Sequence, residues 1–176
     1  MMQIQSLTLS NEEDQFTNMR WTPAHEVTTI TNPITIDHTI LRQHLIPGLV
    51  KLLASNRDHD LPQSVYELGT VVRDHRNADR LAFITAERSG GFAAVRGRIQ
   101  ALCNDLGVAT WEAEPLSQGE GPWLAGRGAK LIINGQWVGC FGEFDPSITD
   151  LYDLRVPLNG AELDVNALMN AVEDPV

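Results

Sequence analysis

Two carboxylates interrupt stretches that are otherwise apolar, and they are the residues best placed to do chemistry. Glu67 and Glu143 lie inside strand-like runs, where an inward-facing carboxylate needs a partner because an unpaired charge is costly to bury. Two such carboxylates could work as a general acid and a general base. Pairing with arginines, chiefly Arg42 and Arg127, is the interpretation we favour. We therefore predict a buried ion network of these four residues that stabilises the core or a subunit interface.

Other chemical motifs are weak or missing. Neither usual nucleotide fingerprint, GxxxxGK[ST] or GxGxxG after a strand, occurs in the sequence. The five histidines form no HxH or HExxH pattern and no cluster with cysteine, so we expect no metal ion. Cys103 and Cys140 lie in apolar patterns and are interpreted as small buried side chains. We assign no catalytic residue, and the residues alone indicate no reaction.

The composition favours some classes of protein and excludes others. The chain has 176 residues, with 13 Lys and Arg against 23 Asp and Glu, so the net charge is −10. This charge disfavours sequence-independent binding of nucleic acid, which depends on neutralising phosphates. No apolar run is long enough to span a membrane, and the first residues do not resemble a signal peptide. We expect a single cytoplasmic domain with no membrane association.

Hydrophobic periodicity and turn residues predict the elements that position these side chains. The expected elements, in chain order, are a strand at 27–30, a helix at 47–57, strands at 62–73 and 80–87, a helix at 92–106, a strand at 108–114, a loop at 117–128, a hairpin at 129–141, a helical turn at 145–152, a strand at 156–165 and a helix at 166–172. Apolar residues on both faces of 62–73 place that strand inside the sheet. Hairpins outnumber crossovers, which predicts an α+β fold, an antiparallel sheet with helices on one side.

An ordered set of short motifs runs through most of the chain. It comprises Asn32-Pro33, Leu41-Arg42, Leu45, Pro47-Gly48-Leu49, Asn56, Leu61-Pro62, Tyr66-Glu67, Gly69, Gly126-Arg127, Ala129, Gly139, Gly142, Pro146, Pro157 and Glu162-Leu163. In order and spacing, over residues 27–165, this set resembles the phenylalanyl-tRNA synthetase beta subunit of archaeal and eukaryotic type. His44 departs from the pattern, since a small polar residue is usual there.

The resemblance implies a module at the C-terminal end of that subunit, with the fold of a class II aminoacyl-tRNA synthetase catalytic domain but without catalysis. It implies one domain over 1–176, with 1–25 as a candidate remnant of an upstream connection. In this family the alpha subunit binds ATP, phenylalanine and the tRNA 3′ end in a heterotetramer, so ATP and Mg²⁺ are expected only in the complex, and tRNA only through it. Class II catalysis needs cations to stabilise charge on phosphate. Here Gly142 is followed by Glu143 instead of arginine.

The same resemblance implies structural and interface roles, with region 32–56 buried against the alpha subunit. The candidates are Asn32, Pro33, Arg42, Pro47, Gly48, Asn56, Glu67, Gly69, Arg127, Gly142, Glu143 and Pro146. The isolated chain is expected to be inactive and to expose the apolar stripe from Leu45 to Leu53, which would favour a homodimer through that helix. The alternative is a stand-alone paralog that binds an amino acid or a nucleotide, or acts as a ligase, with a closed pocket above the sheet.

Overall fold

A computed structural model describes residues 1–117 and 119–172. Its strands are β1 (Met2–Gln3), β2 (Leu9–Ser10), β3 (Ile40–Leu41), β4 (Gln63–Arg73), β5 (Arg76–Ala86), β6 (Trp111–Pro115), β7 (Trp123–Ile133), β8 (Gln136–Phe144) and β9 (Leu158–Asp164). Its helices are α1 (Ile46–Ser55), α2 (Phe92–Asp105), α3 (Pro146–Leu151) and α4 (Val165–Ala171), and a single turn of π-helix spans Glu13–Thr17. No described helix is long and apolar enough to cross a membrane, and α2 has only 14 residues.

Seven of the strands form one sheet in the order β1-β4-β5-β9-β8-β7-β6. Every neighbouring pair is antiparallel except β1 and β4, which run parallel. Strands β2 and β3 pair separately as a two-stranded ribbon beside the sheet. The predicted α+β fold is therefore confirmed as a large, mostly antiparallel sheet flanked by helices.

Helices cover both faces of this sheet, so the prediction that they lie on one side is wrong. Helices α1 and α3 pack on one face, which we call the α1 face, and α2 and α4 pack on the other, the α2 face. The alternation along β5 shows why: Ala82 and Ile84 join the core under α1, whereas Phe83 joins the core under α2. A strand with buried residues on both sides requires a layer on each face.

Several predicted elements occur with different bounds. Residues 27–30 do not form a strand, and only Thr29 makes a single bridge, to Ile40. The strand expected at 108–114 is β6, which begins later, and β7 begins inside the loop expected at 117–128. Residue 118 of that loop lies outside the described residues. Strand β4 has a neighbour on both sides, but β1 pairs only with Val65 and Tyr66, so most of β4 lies near the sheet edge.

Candidate functional site

Arg42 and Glu67 form a buried ion pair on the α1 face. Arg42 follows β3, Glu67 lies in β4, and Arg42 Nη1 is 2.9 Å from Glu67 Oε1, with the two side chains only 5% and 1% exposed. Arg42 Nε donates to the Thr70 carbonyl at 3.0 Å, and Arg42 Nη1 donates to Ser6 Oγ at 2.7 Å. Ser6 Oγ donates in turn to Glu67 Oε2 at 2.6 Å. The pair is therefore well satisfied, as a buried charge requires.

Gly69 and Gly48 lack side chains, which leaves room for this ion pair and for Ser6. A Cβ at Gly69 would lie 2.7 Å from Arg42 Nη2 and 2.8 Å from Glu67 Oε1. A Cβ at Gly48 would lie 2.9 Å from Ser6 Oγ. Side-chain contacts of this length are too short to be tolerated without movement. The absence of a side chain at Gly69 thus allows the ion pair to close over β4.

Arg127 and Glu143 form a second pair that does not join the first, so the predicted network of four residues is wrong. Arg127 Nη1 lies 2.8 Å from Glu143 Oε2, and the Arg127 side chain is 57% exposed. The pair lies on the α2 face, because a Cβ at Gly91, which precedes α2, would be 3.4 Å from Glu143 Oε2. Glu67 lies on the α1 face, so the sheet itself separates the two pairs.

A second buried carboxylate, Glu162, forms a site that the sequence-based candidates did not include. It lies in β9 and is 6% exposed. Glu162 Oε2 accepts hydrogen bonds from the backbone N–H groups of Leu45 at 3.0 Å and Ile46 at 3.1 Å, and Oε1 lies 3.1 Å from His44 Nδ1. Arg73 Nη2 is 3.9 Å from Oε1. The free N–H groups at the start of α1 thus hold the carboxylate, as the positive end of a helix favours.

The electrostatics of Glu162 are dominated by these neighbours. Burial alone raises the pKa of the Glu162 carboxyl, but the nearby His44 ring, the Arg80 guanidinium and the Ile46 N–H outweigh burial and hold that pKa below its ordinary value. Arg80 is itself 3% exposed and lies 3.4 Å from Asp164. Its Nε has no hydrogen-bond partner within the described residues. Glu162 is therefore a stable anion beneath α1.

His44, which departs from the expected small polar residue, is fixed from several sides. The Trp21 ring stacks on it with centroids 3.9 Å apart and an interplanar angle of 17°. Gln15, which is 2% exposed, accepts from the N–H groups of Gln43 and His44 through Oε1, both at 2.9 Å. Arg73 Nη2 donates to the Gln43 carbonyl at 2.9 Å. These contacts fasten the N-terminal segment to the sheet.

The remaining predicted residues of the helices have local roles. Pro47 lies in the first turn of α1, where its missing N–H is tolerated. Asn56 ends α1: its side-chain amide donates to the Leu52 carbonyl at 2.8 Å, and its own carbonyl accepts from Gln63 at 2.9 Å. Pro146 opens α3.

Gly142 permits close contact between β7 and β8. A Cβ there would lie 2.8 Å from the Gly128 Cα and 2.5 Å from the Arg127 carbonyl oxygen. Any larger residue at this position would therefore separate the two strands.

The predicted interface region 32–56 divides into a buried part and an exposed part. The apolar stripe of α1 lies in the chain's own core, since Leu45 and Leu49 are 0% exposed and Leu53 is 1% exposed. The expectation that this stripe is free to form a homodimer is therefore wrong. Asn32 and Pro33 lie instead in an exposed loop, residues 31–37.

An open groove of about 210 Å³ lies between the β2–β3 ribbon and α1. Its lining includes Arg42 and Lys51. Both cations already have partners: Arg42 pairs with Glu67, and Lys51 Nζ lies 2.7 Å from Asp14. No group of three or more His, Cys, Asp or Glu side chains within 1–117 and 119–172 is arranged to hold a metal ion. Arg42 and Lys51 therefore stabilise the fold through internal contacts.

Comparison with known proteins decides the family. Residues 1–165 match the family model described as the phenylalanyl tRNA synthetase beta chain CLM domain. This chain belongs to that family. It is 34% identical over 165 residues to the phenylalanine–tRNA ligase beta subunit of Methanothrix thermoacetophila, 32% identical over 170 residues to that of Archaeoglobus fulgidus, and 33% identical over 177 residues to that of Methanopyrus kandleri.

These alignments cover 94%, 96% and 97% of this beta-chain domain, respectively, and 30% of each relative. The chain thus spans less than a third of the length of the curated relatives it matches. The matched region includes Glu162, which lies in the last strand of the sheet.

Proposed function

We propose that this chain is a non-catalytic, class II synthetase-like module of the phenylalanine–tRNA ligase beta subunit that supports assembly with the catalytic alpha subunit. Membership of the beta-chain family supports the ligase, and one structural observation supports the non-catalytic role. The buried ion pair of Arg42 and Glu67 and the carboxylate of Glu162 are saturated by contacts within the chain. Groups committed in this way stabilise the fold and are not available to bind a phosphate or an amino acid.

The proposal assigns the substrates to the complex. ATP, Mg²⁺ and phenylalanine bind through the alpha subunit, tRNA binds only through the assembled heterotetramer, and the complex works in the cytoplasm. The net charge of −10 supports the assignment of tRNA binding to the complex, because it disfavours direct contact between this chain and a nucleic acid. The resemblance to class II synthetases implies an arginine after Gly142 in a catalytic copy, whereas this chain has Glu143, which pairs with Arg127.

The test combines a binding assay with an activity assay. The purified chain is titrated with the alpha subunit of the same organism by isothermal calorimetry, and each protein alone is assayed for ATP–pyrophosphate exchange. We expect binding of the alpha subunit and no exchange by the isolated chain. Exchange by the chain alone, or no binding to the alpha subunit, would refute the proposal. Tight binding of free phenylalanine or ATP by the chain would support the stand-alone paralog instead.

A further inference from the structure

Strand β6 lies at the edge of the large sheet, with β7 as its neighbour on one side. It is the last strand in the sheet order, and no strand lies beyond it in the part of the chain that the structure describes. Trp111 is half-buried, and the other four residues of β6 are exposed. An exposed strand edge is a row of N–H and C=O groups to which another strand can add.

The pairing with β7 shows which backbone groups of β6 point away from the sheet. Just after β6, the Leu116 N–H donates to the Gly128 carbonyl at 3.0 Å. Successive residues of an antiparallel strand direct their backbone groups alternately to the two sides. Counting back from Leu116, the residues that direct these groups outward are Trp111, Ala113 and Pro115. Because proline has no N–H, the outward row offers two N–H donors and three carbonyls.

Two glutamates give this edge a negative charge. Trp111 packs on the core under α2, and side chains alternate along a strand, so Glu112 and Glu114 point to the α1 face. Neither glutamate forms an ion pair with another residue that the structure describes. Lys130 stands opposite Glu114 in β7, but its Nζ lies 4.0 Å from Glu120. A strand added along β6 would therefore meet two carboxylates that have no cation.

We propose that β6 binds an extended segment of a partner polypeptide with lysine or arginine at alternate positions, and adds it as an eighth strand of the sheet. The backbone edge selects extended peptide over other ligands. The two glutamates select cations at the spacing of alternate residues, because side chains directly across a strand pair interact. This edge lies outside region 32–56, and the inference does not depend on the proposed function.

A second copy of the chain is the poorer occupant of this edge. Two-fold pairing of β6 with itself, centred on Ala113, would place Glu112 opposite Glu114 of the other copy, and like charges in that position are destabilising. It would also place Trp111 opposite Pro115, which has no N–H to donate. The residues that disfavour self-pairing thus leave the edge open to a basic strand.

The first test uses capped synthetic heptapeptides and the whole chain. The basic probe alternates lysine and valine, and the acidic probe alternates glutamate and valine. Calorimetry should show that the basic probe binds about 10-fold more tightly than the acidic probe, or better. Hydrogen exchange at the Trp111 and Ala113 amides should slow when the basic probe is bound. No binding of the basic probe, or unchanged exchange at both amides, would overturn the inference.

A matched pair of variants tests the backbone contact. Ala113→Pro removes an outward N–H and leaves the hydrogen bonds to β7, which is why proline is tolerated on an edge strand. We expect it to weaken binding of the basic probe about 5-fold or more, whereas Ala113→Val, which keeps the N–H, should stay within about 2-fold. Urea unfolding checks that both variants are folded. Equal affinities of the two variants would overturn the inference, and the exchange measurement decides if Ala113→Pro does not fold.

Charge reversal tests the acidic residues. Glu112→Lys/Glu114→Lys should reverse the preference, so that the acidic probe binds more tightly. Glu12→Lys/Glu13→Lys adds the same charge at two exposed glutamates elsewhere and should keep the preference for the basic probe. Equal effects of the two double variants would indicate attraction to net charge alone and would overturn the inference. A wild-type dimer, detected by light scattering and abolished by Ala113→Pro, would show that a second copy occupies the edge and would also overturn it.

Discussion

Replacing Arg42 by alanine should destabilise the chain strongly, because it leaves a carboxylate buried without its cation. Glu67 is only 1% exposed, and breaking a buried pair by removing one partner typically costs about 3–5 kcal/mol. Glu67 would keep two hydrogen bonds, from Ser6 Oγ at 2.6 Å and from the Ser6 N–H at 3.3 Å. The loss should therefore fall near the lower limit, at about 3 kcal/mol in the free energy of unfolding.

Arg127→Ala is the matched control, since it removes an arginine from a pair of similar length. Arg127 is 57% exposed, and solvent screens its pair with Glu143. We expect its removal to lower the free energy of unfolding by less than about 1 kcal/mol.

Urea unfolding at neutral pH, followed by circular dichroism, measures both variants and their combination. Because the sheet separates the two pairs, the combined loss should equal the sum of the single losses within about 0.5 kcal/mol. Equal losses for Arg42→Ala and Arg127→Ala would refute the difference in burial on which the estimate depends. A coupling free energy between the two substitutions well above about 0.5 kcal/mol would support the single network of four residues instead.

Two further predictions concern protonation and space. The folded chain lowers the pKa of the Glu162 carboxyl below its ordinary value of 4.5. The carboxylate therefore stabilises the fold at pH values above 4.5, and this stabilisation is lost as the pH falls below 4.5. Urea midpoints measured from pH 7 to pH 3 should therefore fall less in Glu162→Gln, and parallel curves would contradict this. Gly69→Ala should cost about 1–3 kcal/mol because its Cβ meets Arg42 and Glu67. Gly97→Ala in α2, where a Cβ meets nothing within 4 Å, should gain about 0.8 kcal/mol, and a similar loss in both variants would refute the steric reason.

Elements specified by local chemistry were predictable from the sequence. The Asn134-Gly135 pair does form the turn between β7 and β8, with φ of 50° and 76°, as a tight hairpin requires. Gly107, just after α2, has a φ of 73°, which ends a helix in the left-handed conformation. In both cases the decisive interactions involve residues close together in the chain, so the residue types were sufficient.

The partners of the buried charges were not predictable, because they depend on strand order and on the face to which each residue points. Glu67 and Glu143 have the same sequence context, an acidic residue in an apolar strand, yet they lie on opposite faces of the sheet. Glu162 shares that context in β9, so the same rule could have included it among the inward carboxylates. Its partners, the N–H groups of Leu45 and Ile46, lie 117 and 116 residues away in the chain, and no local pattern connects them.

The buried polar contacts concentrate where the N-terminal segment meets the sheet. Residues 1–39 contribute only two strands of two residues each, so β-pairing alone gives this segment little stability. Ser6, Gln15 and Trp21 instead attach it through Arg42, Glu67 and His44. Hydrogen bonds and ion pairs require defined geometry, whereas apolar contacts tolerate displacement. A segment fixed by polar contacts is therefore held in a single register against the sheet, even though its β-pairing is short.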